Sequence, residues 1–245
     1  MLIGLSEEHE YLVDQIIENL PKLKQLQLFL PDNAQGHEMA GKIRTKKSRK
    51  IKLANGITDD KNALQDLKCA RFDAIIISHT ASYEIGKEDI ESIRAIIILR
   101  EFLDHQPDAP HLIAEMRVGK NKDITSAAAN SDFVVSEKIG SKVFAQFIEN
   151  PHLQTVIDNL ICSSNHHIRL IETPASAGLK QMRFGEIGAE LLEHQRILIG
   201  WSYAVGDGEI EPFINPGMSA LVPENCTKLS LVVIEKSGTR RTEHL

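Results

Sequence analysis

Cysteine is scarce in this chain, with Cys69, Cys162 and Cys226 the only three in 245 residues. They are far apart and lack CxxC spacing, which argues against a disulfide framework or a zinc site and leaves reduced, buried thiols as the expectation. A basic surplus is also missing: 28 Lys and Arg against 34 Asp and Glu give a net charge of -6. Nucleic acid and anionic membranes are therefore not expected partners. Long apolar runs are absent as well. The longest, Ala95 to Leu99 between Arg94 and Arg100, is far short of the roughly 20 residues of a membrane span, so no direct membrane insertion is expected. The opening MLIGLSEEHE is acidic where an export signal would be basic and then apolar, which predicts a chain that stays inside the cell.

Motifs that carry chemistry are equally thin. No GxSxG, HExxH or P-loop occurs, and no Cys and His spacing suggests an activated nucleophile. A dinucleotide fingerprint needs GxGxxG after the first strand, because its glycines allow the tight turn and the close backbone approach to pyrophosphate. Here only Gly4 is present, with Ser6 and His9 in the other two places. A nicotinamide-dependent oxidoreductase with a degraded fingerprint is thus a rival reading, and tight NAD binding is not expected. Asp32 stands where an acid could take a ribose hydroxyl, or equally where a turn follows Pro31.

Between Lys42 and Lys52 lie Lys42, Arg44, Lys46, Lys47, Arg49, Lys50 and Lys52, a block that could hold a phosphate. Without stacking aromatics it reads better as a solvated loop and strand edge. Adjacent His166 and His167 point to opposite faces if extended and are read as linker residues. Asp207, Glu209 and Glu211 share one face of an extended chain, as a calcium site could use, although a polar hairpin from Gly206-Asp207-Gly208 is the favoured reading. Asp59 and Asp60 are read as helix-capping residues.

What the chain does have is a core and a rhythm. It is 42% hydrophobic and 25% charged, an ordinary globular balance. Apolar runs at 1–5, 25–30, 49–53, 74–78, 112–114 and 133–135 read as strands, and helical spacing follows Ser6, an N-cap candidate, and recurs at 63–67, 87–102 and 123–129. Strands separated by helices predict a doubly wound, Rossmann-like parallel sheet. Two amphipathic helices at 139–148 and 151–161 then break the alternation with no strand between them. Their apolar faces are covered either by this chain's own sheet or by another subunit, and the pattern leaves both open. Strands at 168–172, 197–202, 209–214 and 229–234 with a helix at 184–192 read as a small α+β domain. The expected division is 1–138, a helical pair at 139–164, and 165–245.

That order resembles the RCK domain, the regulator of potassium conductance, and most closely its CASTOR and POLLUX branch. The stretches that carry the likeness are FDAIIIS at 72–78, ILRE at 98–101, HLIAEM at 111–116 and DFVVSEKIGSKVFAQFIENPHL at 132–153. Further on, IRLIETPA at 168–175, RFGEIGAELLEHQRILIGWSY at 183–203 and Ile214-Asn215-Pro216 extend it. The family's Gly-Asp-x-Thr turn stands here as Asn55-Gly56-Ile57-Thr58, without the aspartate. The degenerate opening looks more like a second, C-terminal unit of a channel than a first.

The resemblance implies a regulatory protein without catalytic activity, at the cytoplasmic face of a membrane. It implies a homodimer or larger ring acting on a membrane pore domain in cis or in trans, for potassium or another cation. It implies pairing through Val143, Phe144 and Phe147, and a strand-end cleft bounded by Gly4, Ser6, Asp32, Thr58, Ser78 and His79 for a ligand such as calcium or a nucleotide (NAD, ADP). A structural ring component that binds nothing is the further alternative.

Overall fold

A computed structural model describes residues 1–6, 10–20, 23–45, 50–78, 87–103, 106, 108–117, 131–161, 166–173, 178–179, 182–205 and 211–236. Cα proximity divides the chain into two compact units, Met1–Glu149 and Asn150–Leu245.

In the first unit six strands form one sheet: β1 (Leu2–Ile3), β2 (Leu26–Pro31), β3 (Ile51–Gly56), β4 (Ala74–Ile77), β5 (His111–Met116) and β6 (Ser131–Val135). Their order is β3-β2-β1-β4-β5-β6, with every neighbouring pair parallel. Helices α1 (Glu10–Asn19), α2 (Ala34–Thr45), α3 (Lys61–Asp66), α4 (Lys87–Leu103) and α5 (Ser136–Glu149) accompany it. The expected doubly wound sheet is present.

Successive side chains of a strand face opposite ways, and β1 feeds two cores. Leu2 packs with Leu28, Leu30, Val13, Ile16, Met39 and Ile43 under α1 and α2. Ile3 joins Phe29, Ile75, Ile77, Leu64, Ile96 and Leu99 under α3 and α4. Burial of both faces is why LQLFL and AIII read as continuous apolar runs rather than alternating ones.

Helix α2 departs from the sequence expectation, which placed no helix there. Met39, Ala40 and Ile43 are buried at helical spacing, but Gly36 and Gly41 dilute the signal. Gly36 has a packing reason: a Cβ at that position would lie 1.9 Å from the Pro31 carbonyl oxygen. Its amide donates to Asn33 Oδ1 at 2.9 Å, closing the first turn. Lys42 and Arg44 consequently sit in the last turn of a helix, where cations favour the negative end of the dipole, rather than in a loop. Lys52 does lie on an edge strand, β3, while Lys46, Lys47 and Arg49 fall outside the described residues. Asp60 caps α3 as expected, accepting the Ala63 amide at 2.8 Å. Asp59 instead pairs with Arg94 at 2.9 Å. The residues that an N-cap at Ser6 would serve, and the helix expected at 123–129, are outside the described residues.

The second unit contains α6 (Leu153–Ile161), β7 (His166–Thr173), α7 (Phe184–Glu193), β8 (Arg196–Val205), β9 (Glu211–Ile214) and β10 (Cys226–Lys236). Its sheet runs β7-β10-β8-β9, antiparallel throughout. Phe184, Ile187 and Leu191 of α7 pack on Leu198, Trp201, Leu229, Leu231 and Val233, with the Phe184 and Trp201 rings edge to face at 5.2 Å. His166 and His167 are not a linker: they open β7 opposite Lys236 and Glu235. Pairing with β10, far along the chain, makes them a strand, which adjacency in sequence could not reveal. Cys69 and Cys226 are free and buried, and burial pushes the Cys69 thiol up to about 11, leaving it inert. Cys162 is outside the described residues.

One end of this second sheet buries charge. Glu235, 3% exposed, accepts from Arg169 Nη1 at 2.9 Å and from Arg196 Nε at 3.1 Å, with His167 Nε2 3.3 Å away. Burial pushes the Glu235 carboxyl up, but the two guanidinium groups outweigh it and hold it below the ordinary carboxylate range.

Candidate functional site in the strand-end cleft

In an open parallel sheet, ligands are taken where the strand order reverses, at the carboxyl ends of the strands. That point lies between β1 and β4, which pair Ile3 with Ile77. Each expected site residue can be placed against it. Gly4 follows β1 with φ 70, a conformation that suits glycine, and its amide donates to the Phe29 carbonyl at 2.9 Å. Ser6 and Ser78 are buried, the latter with its amide on the Ile3 carbonyl at 2.9 Å. Thr58 is half-buried in the turn after β3. Asp32 is exposed after β2, its carboxylate 3.0 Å from His37 Nε2. His79 lies outside the described residues.

The tertiary structure brings only some of these together. Thr58 and Ser78 line one cleft with Ile3 and Ile77, closed on the far side by Glu91, Ser92 and Ala95 of α4. Gly4, Ser6 and Asp32 are not among the lining residues. The cavity is about 10 Å3, room for roughly one water, so a nucleotide would have to open it. Its lining mixes hydroxyls and one carboxylate with apolar strand ends, a surface able to hydrogen-bond a small polar group.

Three further residues, Glu91, Ser92 and Glu115, are not among those the sequence singles out. Glu91 and Ser92 belong to a helix whose apolar residues dominate its pattern, so their position on the cleft emerges only from how α4 packs. Glu115 had a visible signal: it is a charge at the end of HLIAEM, a strand otherwise largely apolar after His111. It accepts Ser78 Oγ on Oε2 at 3.3 Å and Ser136 Oγ on Oε1 at 2.6 Å.

For metals, no group of three or more His, Cys, Asp or Glu able to hold an ion occurs among the described residues. Asp207 and Glu209 lie outside them, and Glu211 begins β9 opposite Tyr203 of β8.

The third feature is α5. Its apolar residues fall along one stripe, yet none of the helix is buried. Val143 and Phe147 are half-buried, whereas Ile139, Phe144 and Ile148 are 53%, 70% and 85% exposed.

No family model and no curated protein matches the chain. Solved structures do: over 95% of this chain the human SLO3 gating ring matches with a TM-score of 0.59 at 14% identity. Its fold is that of the matched part of that structure. The GsuK RCK domain and the GsuK channel bound to NAD also match, at 15% and 16% identity over 88% and 89% of this chain. Their TM-scores of 0.35 and 0.34 are too low to carry an argument. The chain spans less than half the length of each of these structures, 43%, 45% and 38% in turn. Among the described residues no helix is long and apolar enough to cross a membrane.

Proposed function

We propose that this chain is a regulatory domain of a cation channel or transporter, a gating-ring unit that converts ligand capture into movement of neighbouring subunits and catalyses no reaction. The observation that carries the reading is α5: a 14-residue helix, leaving a gating-ring-like sheet, with an apolar stripe and no buried residue. Isolated helices of this length are marginal in water, and an exposed apolar face marks an interaction surface. A second copy, meeting it through Val143, Phe144 and Phe147, would cover the stripe and build a homodimer or larger ring. The ring would act on a membrane pore domain, in cis or in trans, that conducts potassium or another cation. The CASTOR and POLLUX branch is our reading of its affiliation, on the strength of the run from Asp132 to Leu153.

The strand-end cleft is the proposed ligand site, for calcium or a nucleotide. A ligand moves such a ring only by its differential affinity for two shapes, typically about 1 to 3 kcal/mol per site. Light scattering of the purified chain, with thermal unfolding in calcium, magnesium, ADP and NAD, tests both halves. A mass of at least two protomers is expected, with stabilisation of about 2.7 kcal/mol by one of these solutes at 100 times its dissociation constant. A monomer indifferent to all four would end the proposal.

A further inference from the structure

Three strand ends meet at one carboxylate. Glu115 is the penultimate residue of β5, and its two oxygens take different partners: Oε2 takes the hydroxyl of Ser78 beyond β4 at 3.3 Å, and Oε1 takes the hydroxyl of Ser136 at 2.6 Å. Ser78 lines the cleft. Ser136 is the first residue of α5, which follows β6 with no residue between them.

The parts of this junction are unequally held. The end of β5 is tied to α4, because buried Asp89 accepts the Arg117 amide at 2.8 Å. β4 is paired on both sides, with β1 and β5. Helix α5 has no buried side chain along its whole length. Of the elements that Glu115 joins, α5 is therefore the one free to reorient at low cost.

The two hydrogen bonds also differ. At 2.6 Å the Ser136 bond is a short, charge-assisted one, whereas at 3.3 Å the Ser78 bond is long and yields first to a competitor. A serine hydroxyl has one proton to give. An acceptor in the cleft that takes the Ser78 proton removes one of the hydrogen bonds that orient this carboxylate, and a change in its side-chain torsions carries Ser136 with it.

We propose that Glu115 is a positioning residue: it couples the state of Ser78 in the cleft to the first turn of α5, and so to the helix that the proposed pairing uses. The link to pairing rests on that functional reading, whereas the coupling itself does not.

The test requires no ligand, since Ser78→Ala imitates loss of the Ser78 proton. Hydrogen exchange is followed at the amides of residues 140–144 in the wild type, Ser78→Ala, Ser136→Ala and the double variant, with circular dichroism confirming the fold. Each single substitution is expected to speed exchange roughly tenfold to a hundredfold, the scale of one hydrogen bond to a charged group. The double variant should be no faster than the faster single, and Ser136→Thr, which keeps the hydroxyl, should restore the wild-type rate. Glu115→Gln supplies a second route: it should speed exchange as Ser136→Ala does and abolish the effect of Ser78→Ala. Exchange in the double variant equal to the product of the singles, or a Ser78→Ala protein with wild-type α5 exchange, overturns the coupling. A monomeric protein that still shows the non-additive cycle retains the coupling and removes the pairing; a paired protein with multiplicative singles does the reverse.

Discussion

Helices α4 and α5 belong to the same sheet and both carry apolar side chains at helical spacing, yet they are used differently. Ala95, Ile96, Leu99 and Leu103 of α4 are buried among Ile3, Ile75 and Ile77. In α5 the corresponding stripe joins no buried cluster among the described residues, and Phe144 and Ile148 are exposed. The pattern that signals a helix is the same in both, and what lies opposite decides whether the helix stabilises this chain or binds another. α4 holds the fold together, whereas α5 offers a surface.

The sharpest way to break this contrast is Leu99→Ala. Leu99 is fully buried, so the lost transfer energy and the cavity should cost about 3 to 5 kcal/mol in urea unfolding. A cost below about 1 kcal/mol would mean that α4 is no more committed than α5. In the second unit, Glu235→Gln removes the charge that balances Arg169 and Arg196, with a loss of about 3 kcal/mol at neutral pH. Because the folded carboxyl is held below its ordinary range, that contribution is fully present above the unfolded value of about 4.3. It is lost as pH falls through the depressed folded value. Wild type and variant should therefore converge in acid, and a gap that persists there would contradict the cause assigned.

Asp89→Ala is expected to cost about 2 kcal/mol, since it removes the buried carboxylate that accepts the half-buried Arg117 amide and ties β5 to α4. The smallest change in stability should come from Phe144→Asp, within about 0.5 kcal/mol for the monomer. The same substitution should halve the mass seen in light scattering. Ile97→Asp, on the exposed face of α4, is the control, expected to leave both stability and mass unaltered. If it lowers the mass and Phe144→Asp does not, the roles of the two helices are exchanged.

The legible parts of the fold were those in which one element reports on itself. Continuous apolar runs identified β2 and β4, and the change from alternation to two successive helices marked α5 and α6 to within a few residues. The failures had different causes. α2 is hidden because Gly36 and Gly41 lower its apparent helical propensity, while Gly36 is required by the close approach of the Pro31 carbonyl at the turn into the helix. His166 and His167 were misassigned because their strand exists through pairing with β10. In the candidate site, Thr58 and Ser78 were found at strand ends, but Glu91, Ser92 and Glu115 were passed over, as their meeting depends on α4 crossing the sheet and on β5 lying beside β4.

Apolar periodicity is a local property, set by the repeat of 3.6 residues for a helix and two for a strand. It was enough to establish a parallel, doubly wound sheet, a helical pair and a smaller mixed unit before any coordinate was known. Proximity between residues far apart in the chain has no such local signature. Only folding could decide that Asp32 turns to His37 and away from the cleft lining, that Glu235 is ringed by three basic side chains, and that one carboxylate at the end of β5 joins the cleft to α5.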